Sequence, residues 1–316
     1  MESHYEFVFQ KTPARIENMF GALPQWSVTK LKSADAAVQY NFDCGSFLLR
    51  QKLMLKPFYV EVIQLKSDVP FSFRYKLKTE RLFLFFMLEG FMDFSIGDTS
   101  SVISACKNNF YLWFNSPGVY EVNCRQGDEC ALLISVDPKN ILEAASVYPN
   151  LMEVVIEMME AEESIRVFPS FPINNYVKSW LNKLHSFANK NRTILMGMLH
   201  VYVGEALEYY EDLLVRSGVA LVHRVRRFID QHYSDSSLNV ARFVEISCMS
   251  KTALQQKFKM EFGVSLYEYL TEVRMLKAKE LLDAGAVPSS QVWSEIGYND
   301  PSTFNKAFNK FFPSES

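Results

Sequence analysis

The sequence predicts an α+β fold, with antiparallel strands in the first part of the chain and helices in the rest. Three observations predict it: alternation of apolar and polar residues before residue 137, helical periodicity from residue 138 onward, and a short amphipathic helix that occurs twice near the end. The chain of 316 residues has room for two or three domains. The predicted organisation is a β-rich domain at 1–137, a helical connector at 138–217 and an all-α domain at 218–316.

Strands are predicted from about residue 38 to residue 136. The segment Phe71–Leu77 reads FSFRYKL, so that aromatic and aliphatic residues alternate with Ser, Arg and Lys. Other short apolar runs follow, and turn residues such as Gly90 and Pro117-Gly118 separate them. Short strands at this spacing indicate an antiparallel barrel or a sandwich of two sheets.

Helical periods begin after Asp137-Pro138. The run ILMGMLHVYVGEALEYYEDLL places apolar residues on one stripe of a helix. Two interpretations of this stripe stay open, packing onto the chain's own β-domain and contact with a second subunit, and both can hold together. We expect a homodimer through this helix, with 138–217 as the dimerisation region. The stripe consists of Ile194, Met198, Val201, Tyr202 and Tyr209.

The all-α region contains the same short amphipathic helix twice. Ser250 is the predicted N-cap of the first copy, since its hydroxyl can accept a hydrogen bond from an amide of the first turn. Asp300 followed by a proline starts the second copy, because proline at the first helical position loses no donor that the helix needs. Between the copies, Ser265 and Glu268 form a capping box that opens a long helix, Leu266–Asp283.

Each copy is predicted to be the second helix of a helix–turn–helix unit. A short helix and a turn precede both, in the segments RFVEISCM and SQVWSEIGYN. The second helix of such a unit fits the major groove of DNA and presents side chains to the base edges. The apolar faces consist of Leu254, Phe258 and Phe262 in the first copy and of Phe304, Phe308 and Phe312 in the second.

The open faces of the two helices carry polar and basic residues and almost no acidic ones. Gln and Asn can bond the adenine edge with two hydrogen bonds, and Lys serves guanine or phosphate. Two copies allow one chain to read two stretches of groove. The net charge of −3 does not by itself indicate nucleic acid, so the prediction rests on where these side chains fall. The residues predicted to contact DNA are Lys251, Thr252, Gln255, Gln256, Lys259, Ser302, Asn305, Lys306 and Asn309.

The C-terminal region resembles the DNA-binding domain of AraC/XylS-type transcriptional regulators. The resemblance rests on VRRFIDQHYSDSSLNVARF, on M-S-x-x-x-L-x-x-x-F-K-x-x-x-G at Met249–Gly263, and on I-G-Y-N-D-x-x-x-F-x-x-x-F at Ile296–Phe308. It implies that the N-terminal domain is a cupin-like barrel that binds a small-molecule effector or mediates dimerisation. It also implies double-stranded DNA as a partner, and RNA polymerase as a further partner if the protein activates transcription.

The chain departs from the family pattern at several positions. Val244 and Trp293 stand where the family has a small alanine, and Cys248 replaces the usual turn glycine. We interpret Trp293 as a bulky core residue, with stacking on DNA as the alternative. The basic ending that follows the last helix in the family is not found after Phe312, so we expect weaker or asymmetric use of the second unit. A cluster of arginines either faces solvent or contacts phosphates: Arg224, Arg226 and Arg227.

Enzymes are not the expected class. A metal-dependent cupin enzyme holds its metal with histidines and a carboxylate, and none of the five histidines lies in the strand region. Common nucleotide-binding and hydrolase motifs are absent, so no cofactor and no metal are expected. Two alternatives stay open. One is a barrel-type enzyme with a fused helical tail; the other is a non-catalytic small-molecule-binding or protein-interaction module whose degenerate tail no longer binds DNA.

Cysteine usage and hydropathy indicate a cytoplasmic protein. The five cysteines form no C-x-x-C pair, which predicts reduced thiols, with a Cys124–Cys130 bridge as the alternative. The N-terminal segment lacks the pattern of a secretory signal. The densest apolar run, Leu82–Leu88, is too short to span a bilayer, so no membrane partner is expected.

Overall fold

The chain forms two compact units, Met1–Leu213 and Leu214–Ser316, in a computed structural model. An N-terminal antiparallel β-domain followed by a helical domain is confirmed as the fold class. The division into three regions at 137 and 217 stays a prediction, and part of 138–217 lies outside the described residues. The structure describes residues 4–96, 103–139, 147–160, 165–167, 169–186, 191–285 and 287–313.

The first unit is built on antiparallel strands in two sheets. The strands are β1 (Tyr5–Val8), β2 (Arg15–Asn18), β3 (Ala36–Asn41), β4 (Phe47–Leu55), β5 (Phe58–Ser67), β6 (Phe71–Leu77), β7 (Arg81–Glu89), β8 (Phe91–Ile96), β9 (Ile103–Cys106), β10 (Asn109–Asn115), β11 (Gly118–Cys124), β12 (Gly127–Val136), β13 (Ile165–Val167) and β14 (Phe171–Pro172). The smaller sheet has the order β1-β6-β11-β8-β9. The larger has the order β13-β10-β7-β12-β5-β4-β3-β2, and β14 also pairs with β10.

Side chains from both sheets share one apolar core that is rich in aromatic rings. Strand β6 follows the predicted alternation, because Phe71 and Phe73 are buried and Lys76 is exposed. Strands β5, β7 and β12 are instead buried along most of their length. Helices cover their outer face, where the ring of Phe86 lies 5.2 Å from that of Trp180. This double covering explains why these strands read as continuous apolar runs.

A buried ion pair connects the larger sheet to the first strand. Arg50 donates from Nη2 to Oε2 of Glu61 over 3.1 Å, and the Tyr59 hydroxyl donates to the same oxygen over 2.8 Å. The Tyr5 hydroxyl, on β1, donates to it as well. The Arg50 guanidinium carbon lies 3.5 Å from the ring centre of Phe7. A carboxylate that is paired and hydrogen-bonded in this way can be buried. The network fastens β1 to the opposite sheet.

The described helices of this unit come after β12, and the short strands β13 and β14 lie between the first two of them. They are α1 (Pro149–Glu160), α2 (Asn175–Ser186) and α3 (Arg192–Ser217). The predicted apolar stripe on α3 divides into two parts. Tyr202 is buried, and its backbone carbonyl accepts a hydrogen bond from Nε1 of Trp180 over 2.9 Å. By contrast, Ile194 is 46% and Val201 57% exposed. One part of the stripe therefore packs onto its own domain, as one of the two interpretations holds, and the other part is open.

The second unit consists of helices. They are α4 (Val219–His232), α5 (Val240–Ser247), α6 (Lys251–Phe262), α7 (Leu266–Asp283), α8 (Val292–Glu295) and α9 (Pro301–Phe311). The sequence pattern predicts helices at Val240–Ser247, Lys251–Phe262 and Leu266–Asp283, and α5, α6 and α7 have these bounds. The pattern also predicts a helix at Val225–Tyr233, and its start was wrong, because α4 begins directly after Gly218, whose φ of +70° separates it from α3.

All five cysteines are free in this structure, and no bridge joins Cys124 to Cys130. The reduced state of the thiols stays a prediction. Both residues are buried, and burial raises the pKa of the two thiols. In the described part of the chain, no helix combines the length and apolar character that crossing a membrane requires.

Candidate nucleic-acid interface

Helices α5 and α6 form the first helix–turn–helix unit. Asn239 caps α5 by accepting a hydrogen bond at Oδ1 from the backbone nitrogen of Arg242 over 3.1 Å. Cys248 ends the helix in the left-handed conformation, with φ +54°. Ser250 then caps α6, and its hydroxyl accepts from the backbone nitrogen of Ala253 over 3.3 Å, which confirms the predicted cap. The turn thus needs a residue that tolerates positive φ, which is why glycine is usual at the position of Cys248.

Apolar contacts orient α6. Leu254 and Phe258 are fully buried in a core formed with residues of α4, α5 and α7. Phe262 is half-buried, and its ring lies 4.6 Å from that of Phe258. Because these three residues occupy one side of the helix, the opposite side is turned to solvent.

Helices α8 and α9 form the second unit. Gly297 supplies the turn with a φ of +80°. The Asp300 carboxylate accepts hydrogen bonds from the backbone nitrogen and the hydroxyl of Thr303, each over 2.8 Å. These bonds from Thr303 hold the pKa of the Asp300 carboxyl below its usual value and begin α9 as predicted. Phe304 is buried and anchors the helix in a second core.

Trp293 packs against this second core as a half-buried side chain. Its Nε1 donates to the backbone carbonyl of Ser290 over 2.8 Å. The interpretation of Trp293 as a bulky core residue is confirmed, and its ring is engaged within its own domain.

Helix α7 joins the two units. The predicted capping box is confirmed, since Glu268 Oε2 accepts from the backbone nitrogen of Ser265 over 2.8 Å and the Ser265 hydroxyl accepts from that of Glu268 over 3.3 Å. Leu270 lies in the first core, whereas Met275 and Ala278 lie in the second. One rigid helix therefore contributes to both cores and relates one unit to the other.

Helices α6 and α9, the second helices of the two units, are called the reading helices below. Their residues correspond one to one, 50 positions apart. Thr252 corresponds to Ser302, Gln255 to Asn305, Gln256 to Lys306, and Lys259 to Asn309. Lys251 precedes these on the first turn of α6. All nine residues that the sequence predicts as DNA contacts are exposed on the two helices.

The basic ends of both reading helices lie near the start of α7. The pKa of the Glu268 carboxyl is lowered, first by its hydrogen bonds with Ser265 and then by the charges of Lys259 and Lys310. Lys310 is an exposed residue of α9 that the sequence prediction did not include. The signal was available, because it lies one turn beyond Lys306 on the same helix. The corresponding residue of α6 is Met260, which is 78% exposed.

Arg226 has a structural role that the sequence did not indicate. Its Nε donates to the Tyr269 hydroxyl over 2.9 Å, and its guanidinium carbon lies 5.0 Å from the ring centre of Phe262. A fully solvated helix face does not describe this side chain, because it packs against the start of α7. A phosphate contact by Arg226 stays untested.

No cluster of three or more His, Cys, Asp or Glu side chains that could hold a metal ion is found among the described residues. The nine exposed residues predicted as DNA contacts on α6 and α9 carry amides, hydroxyls and ammonium groups. These groups suit hydrogen bonds to base edges and ion pairs with phosphates.

Comparison with known proteins shows a helix-turn-helix domain family that matches residues 243–314, a span that takes in both units. The C-terminal region therefore carries a helix-turn-helix domain of the AraC/XylS type. The resemblance carried by the motifs at Met249–Gly263 and Ile296–Phe308 is thereby confirmed.

Regulatory proteins of known operons match part of the chain. The arabinose operon regulatory protein of Escherichia coli (strain K12) is 28% identical over 116 residues, which cover 33% of this chain and 40% of that protein. The lactose operon transcription activator of Staphylococcus xylosus is 38% identical over 74 residues, covering 23% and 25%. Among solved structures, the C-terminal domain of AraT, a response regulator from Geobacillus stearothermophilus, is 34% identical, with a TM-score of 0.28, and the match covers 28% of this chain and 74% of that one. The chain spans 40 to 45% of the length of the first curated relatives that it matches.

Proposed function

We propose that this chain is a sequence-specific DNA-binding transcriptional regulator of the AraC/XylS family. The observation that carries the proposal is the correspondence of α6 and α9, whose open faces present amides, hydroxyls and lysines at positions 50 apart. The acidic residue of α6, Glu261, lies off that face and bonds to Nε2 of His223 over 2.9 Å. Faces of this composition suit the major groove, where base edges and phosphates are both within reach.

The residues divide by the chemistry they offer. Gln255, Gln256 and Asn305 carry amides that can bond the adenine edge with two hydrogen bonds, and Asn309 adds a fourth amide. Thr252 and Ser302 supply short hydroxyl contacts. The ammonium groups bond guanine or phosphate, and they belong to Lys251, Lys259 and Lys306.

The β-domain is proposed to sense a small-molecule effector or to mediate dimerisation, in the cytoplasm. Its enclosed aromatic core supports the first role. The exposed part of α3 supports the second, because Ile194 and Val201 leave an apolar strip open on a helix whose other side is packed. RNA polymerase is a further partner if the regulator activates transcription.

Selection from a pool of random duplexes tests the DNA-binding proposal directly. We expect the full chain to enrich a defined sequence and to bind it with an affinity that falls steeply as salt rises. Replacing Gln255, Gln256 and Asn305 with alanine should abolish the preference for that sequence. Gln231→Ala, at an exposed glutamine of α4, is the matched control and should leave it unchanged. A folded chain that shows no salt-dependent DNA binding would instead support the interaction-module alternative.

Dimerisation has its own test. Val201→Glu should convert a dimer into a folded monomer in sedimentation experiments, because a charge would enter the open strip. Tyr202 is unsuitable for this test, since it is buried within its own domain. A Val201→Glu protein that remains dimeric would place the interface on another surface.

A further inference from the structure

The core between the two sheets contains a small cavity of about 40 Å³. Phe85, Phe94 and Trp113 form part of its wall in mutual edge-to-face contacts, with ring centres 4.4 to 5.6 Å apart. The rest of the wall is mainly aliphatic or aromatic, and it includes Met92. Ring edges and faces presented in this way favour an aromatic guest.

The wall contains a polar pair that is not fully satisfied. Asn115 is 2% exposed, and its Nδ2 donates to the Tyr75 hydroxyl over 2.8 Å. Within the described part of the chain, Oδ1 of Asn115 is buried and has no hydrogen-bond partner. A buried amide oxygen without a partner is costly, so a ligand group that bonds to it is favoured. A hydroxyl suits the pair in either orientation of the amide, because it can both donate and accept.

Charge at the cavity is already neutralised. The Tyr5 hydroxyl at the wall donates to Glu61, and Glu61 is paired with Arg50. The described lining contributes no lysine, arginine or histidine. A carboxylate or phosphate brought into this apolar space would have no cation to pair with, and burying it would be costly.

The size of the cavity limits the guest to a small molecule. An engineered cavity of about 150 Å³ lined by Leu, Ile and Phe binds benzene, so a single ring needs the wall here to yield somewhat. Met92 is the flexible side chain that can make this room, since its three rotatable bonds allow it to repack.

We propose that this cavity binds a neutral, single-ring aromatic molecule carrying one hydroxyl, with the ring against Phe94 and Trp113 and the hydroxyl at Asn115 and Tyr75. The proposal rests on the sensing role proposed for the β-domain and gives the chemical class of its ligand.

Thermal unfolding and calorimetric titration of the full chain test the proposal with three probes of similar size: phenol, toluene and benzoate. We expect phenol to raise the unfolding temperature most, toluene less, and benzoate not at all. Asn115→Leu should lower the affinity for phenol about tenfold, the value of roughly one hydrogen bond, and leave that for toluene nearly unchanged. Met92→Ala should tighten binding of both neutral rings, because it enlarges the cavity.

Asn123→Leu is the matched control, since Asn123 is an exposed residue of β11. The Asn123→Leu protein should bind phenol as the unaltered chain does. Stabilisation by benzoate equal to that by phenol, absence of phenol binding in the Met92→Ala protein, or an unchanged phenol preference after Asn115→Leu would each overturn the proposal. DNA binding measured on the same samples separates the two proposals. If the unaltered chain binds DNA but not phenol, only the cavity proposal is refuted. If it binds phenol but not DNA, only the role in transcription is refuted.

Discussion

Arg274 donates a hydrogen bond from Nε to the backbone carbonyl oxygen of Tyr233 over 2.8 Å. Its Nη2 donates to the carbonyl oxygen of Asp235 over 2.9 Å, and its guanidinium carbon lies 5.4 Å from the ring centre of Tyr298. Tyr233 and Asp235 lie between α4 and α5, whereas Tyr298 lies in the turn between α8 and α9. A single side chain of α7 therefore contacts both the segment that precedes the first helix–turn–helix unit and the turn of the second.

Gly297→Ala tests how closely the second turn packs against this arginine. A Cβ at residue 297 would lie 2.8 Å from Nη2 of Arg274 and 2.8 Å from the backbone oxygen of Ser234. We expect the free energy of unfolding to fall by about 2–3 kcal/mol, because strain at positive φ adds to the clash. Gly263→Ala is the control. Its φ is +74° with no atom within 4 Å of the added Cβ, and it should cost only about 1 kcal/mol. If urea unfolding gave the same decrease in the free energy of unfolding for both variants, the contact with Arg274 would not contribute to the cost.

Cys248→Gly should stabilise the DNA-binding unit. The left-handed conformation destabilises a residue with a Cβ by about 1–2 kcal/mol. Cys248 has this conformation, with a φ of +54°. Part of this gain is lost to the greater freedom of glycine in the unfolded chain, so we expect a net increase of about 0.5–1 kcal/mol. Cys248→Ala keeps the Cβ and should give no such increase. Chemical denaturation of the three proteins distinguishes these outcomes, and a gain from alanine equal to that from glycine would contradict the backbone explanation.

Gln256 and Lys306 occupy corresponding positions but offer different chemistry, so they should affect binding differently. Gln256→Ala should cost about 1–3 kcal/mol at the selected site and relax one or two base positions. Lys306→Ala should weaken binding to all sequences similarly and reduce the slope of log affinity against log salt by about one. Binding isotherms on selected and scrambled duplexes at several salt concentrations measure both effects.

The exchange Gln256→Lys with Lys306→Gln gives a stricter test of the same assignment. If the amide sets preference and the ammonium group anchors, the exchange should move the base preference from the first unit to the second. A base preference that changes with Lys306→Ala and not with Gln256→Ala would reverse the assignment.

Glu129 should make the β-domain less stable as pH rises. Burial, followed by the charge of Asp128, raises the pKa of the Glu129 carboxyl to about 7, and its Oε2 has no partner among the described residues. The folded chain therefore holds a proton that the unfolded chain releases near its usual pKa, so stability falls between about pH 4.5 and pH 7. Glu129→Gln should remove this loss and raise stability at pH 8 by about 1–3 kcal/mol, with little change at pH 4. Thermal unfolding across this range is the measurement, and Glu121→Gln, at a surface ion pair, is the control.

Much of the helical domain could be predicted because its signals are local. The caps at Ser250, Ser265 and Asp300 each bond to an amide three residues away, so the sequence contains both partners. The start of α4 was missed because Ser217-Gly218 looks like the end of a helical region. In the structure, the glycine separates two helices that follow each other directly.

The features of the β-domain that were missed depend on distant residues. Strand β1 has four residues, too few to show a period, and its partner is β6. The hydrogen bond between Asn115 and Tyr75 joins residues 40 positions apart, so no local sequence pattern indicates the polar pair in the cavity wall. Residues of α3 looked alike in sequence because periodicity shows which residues share a stripe. It does not show that Tyr202 is packed and Val201 open.

The hydrogen bond from Tyr5 to Glu61 has a consequence for the order of events during synthesis. Strand β1 leaves the ribosome well before β6, with which it pairs, and before the carboxylate that its tyrosine contacts. Until those segments emerge, Tyr5 and Phe7 have no partner sheet, and closing so long a loop is slow. Strand β1 therefore cannot dock until β5 and β6 have been made, and the nascent chain carries its aromatic side chains uncovered in the meantime.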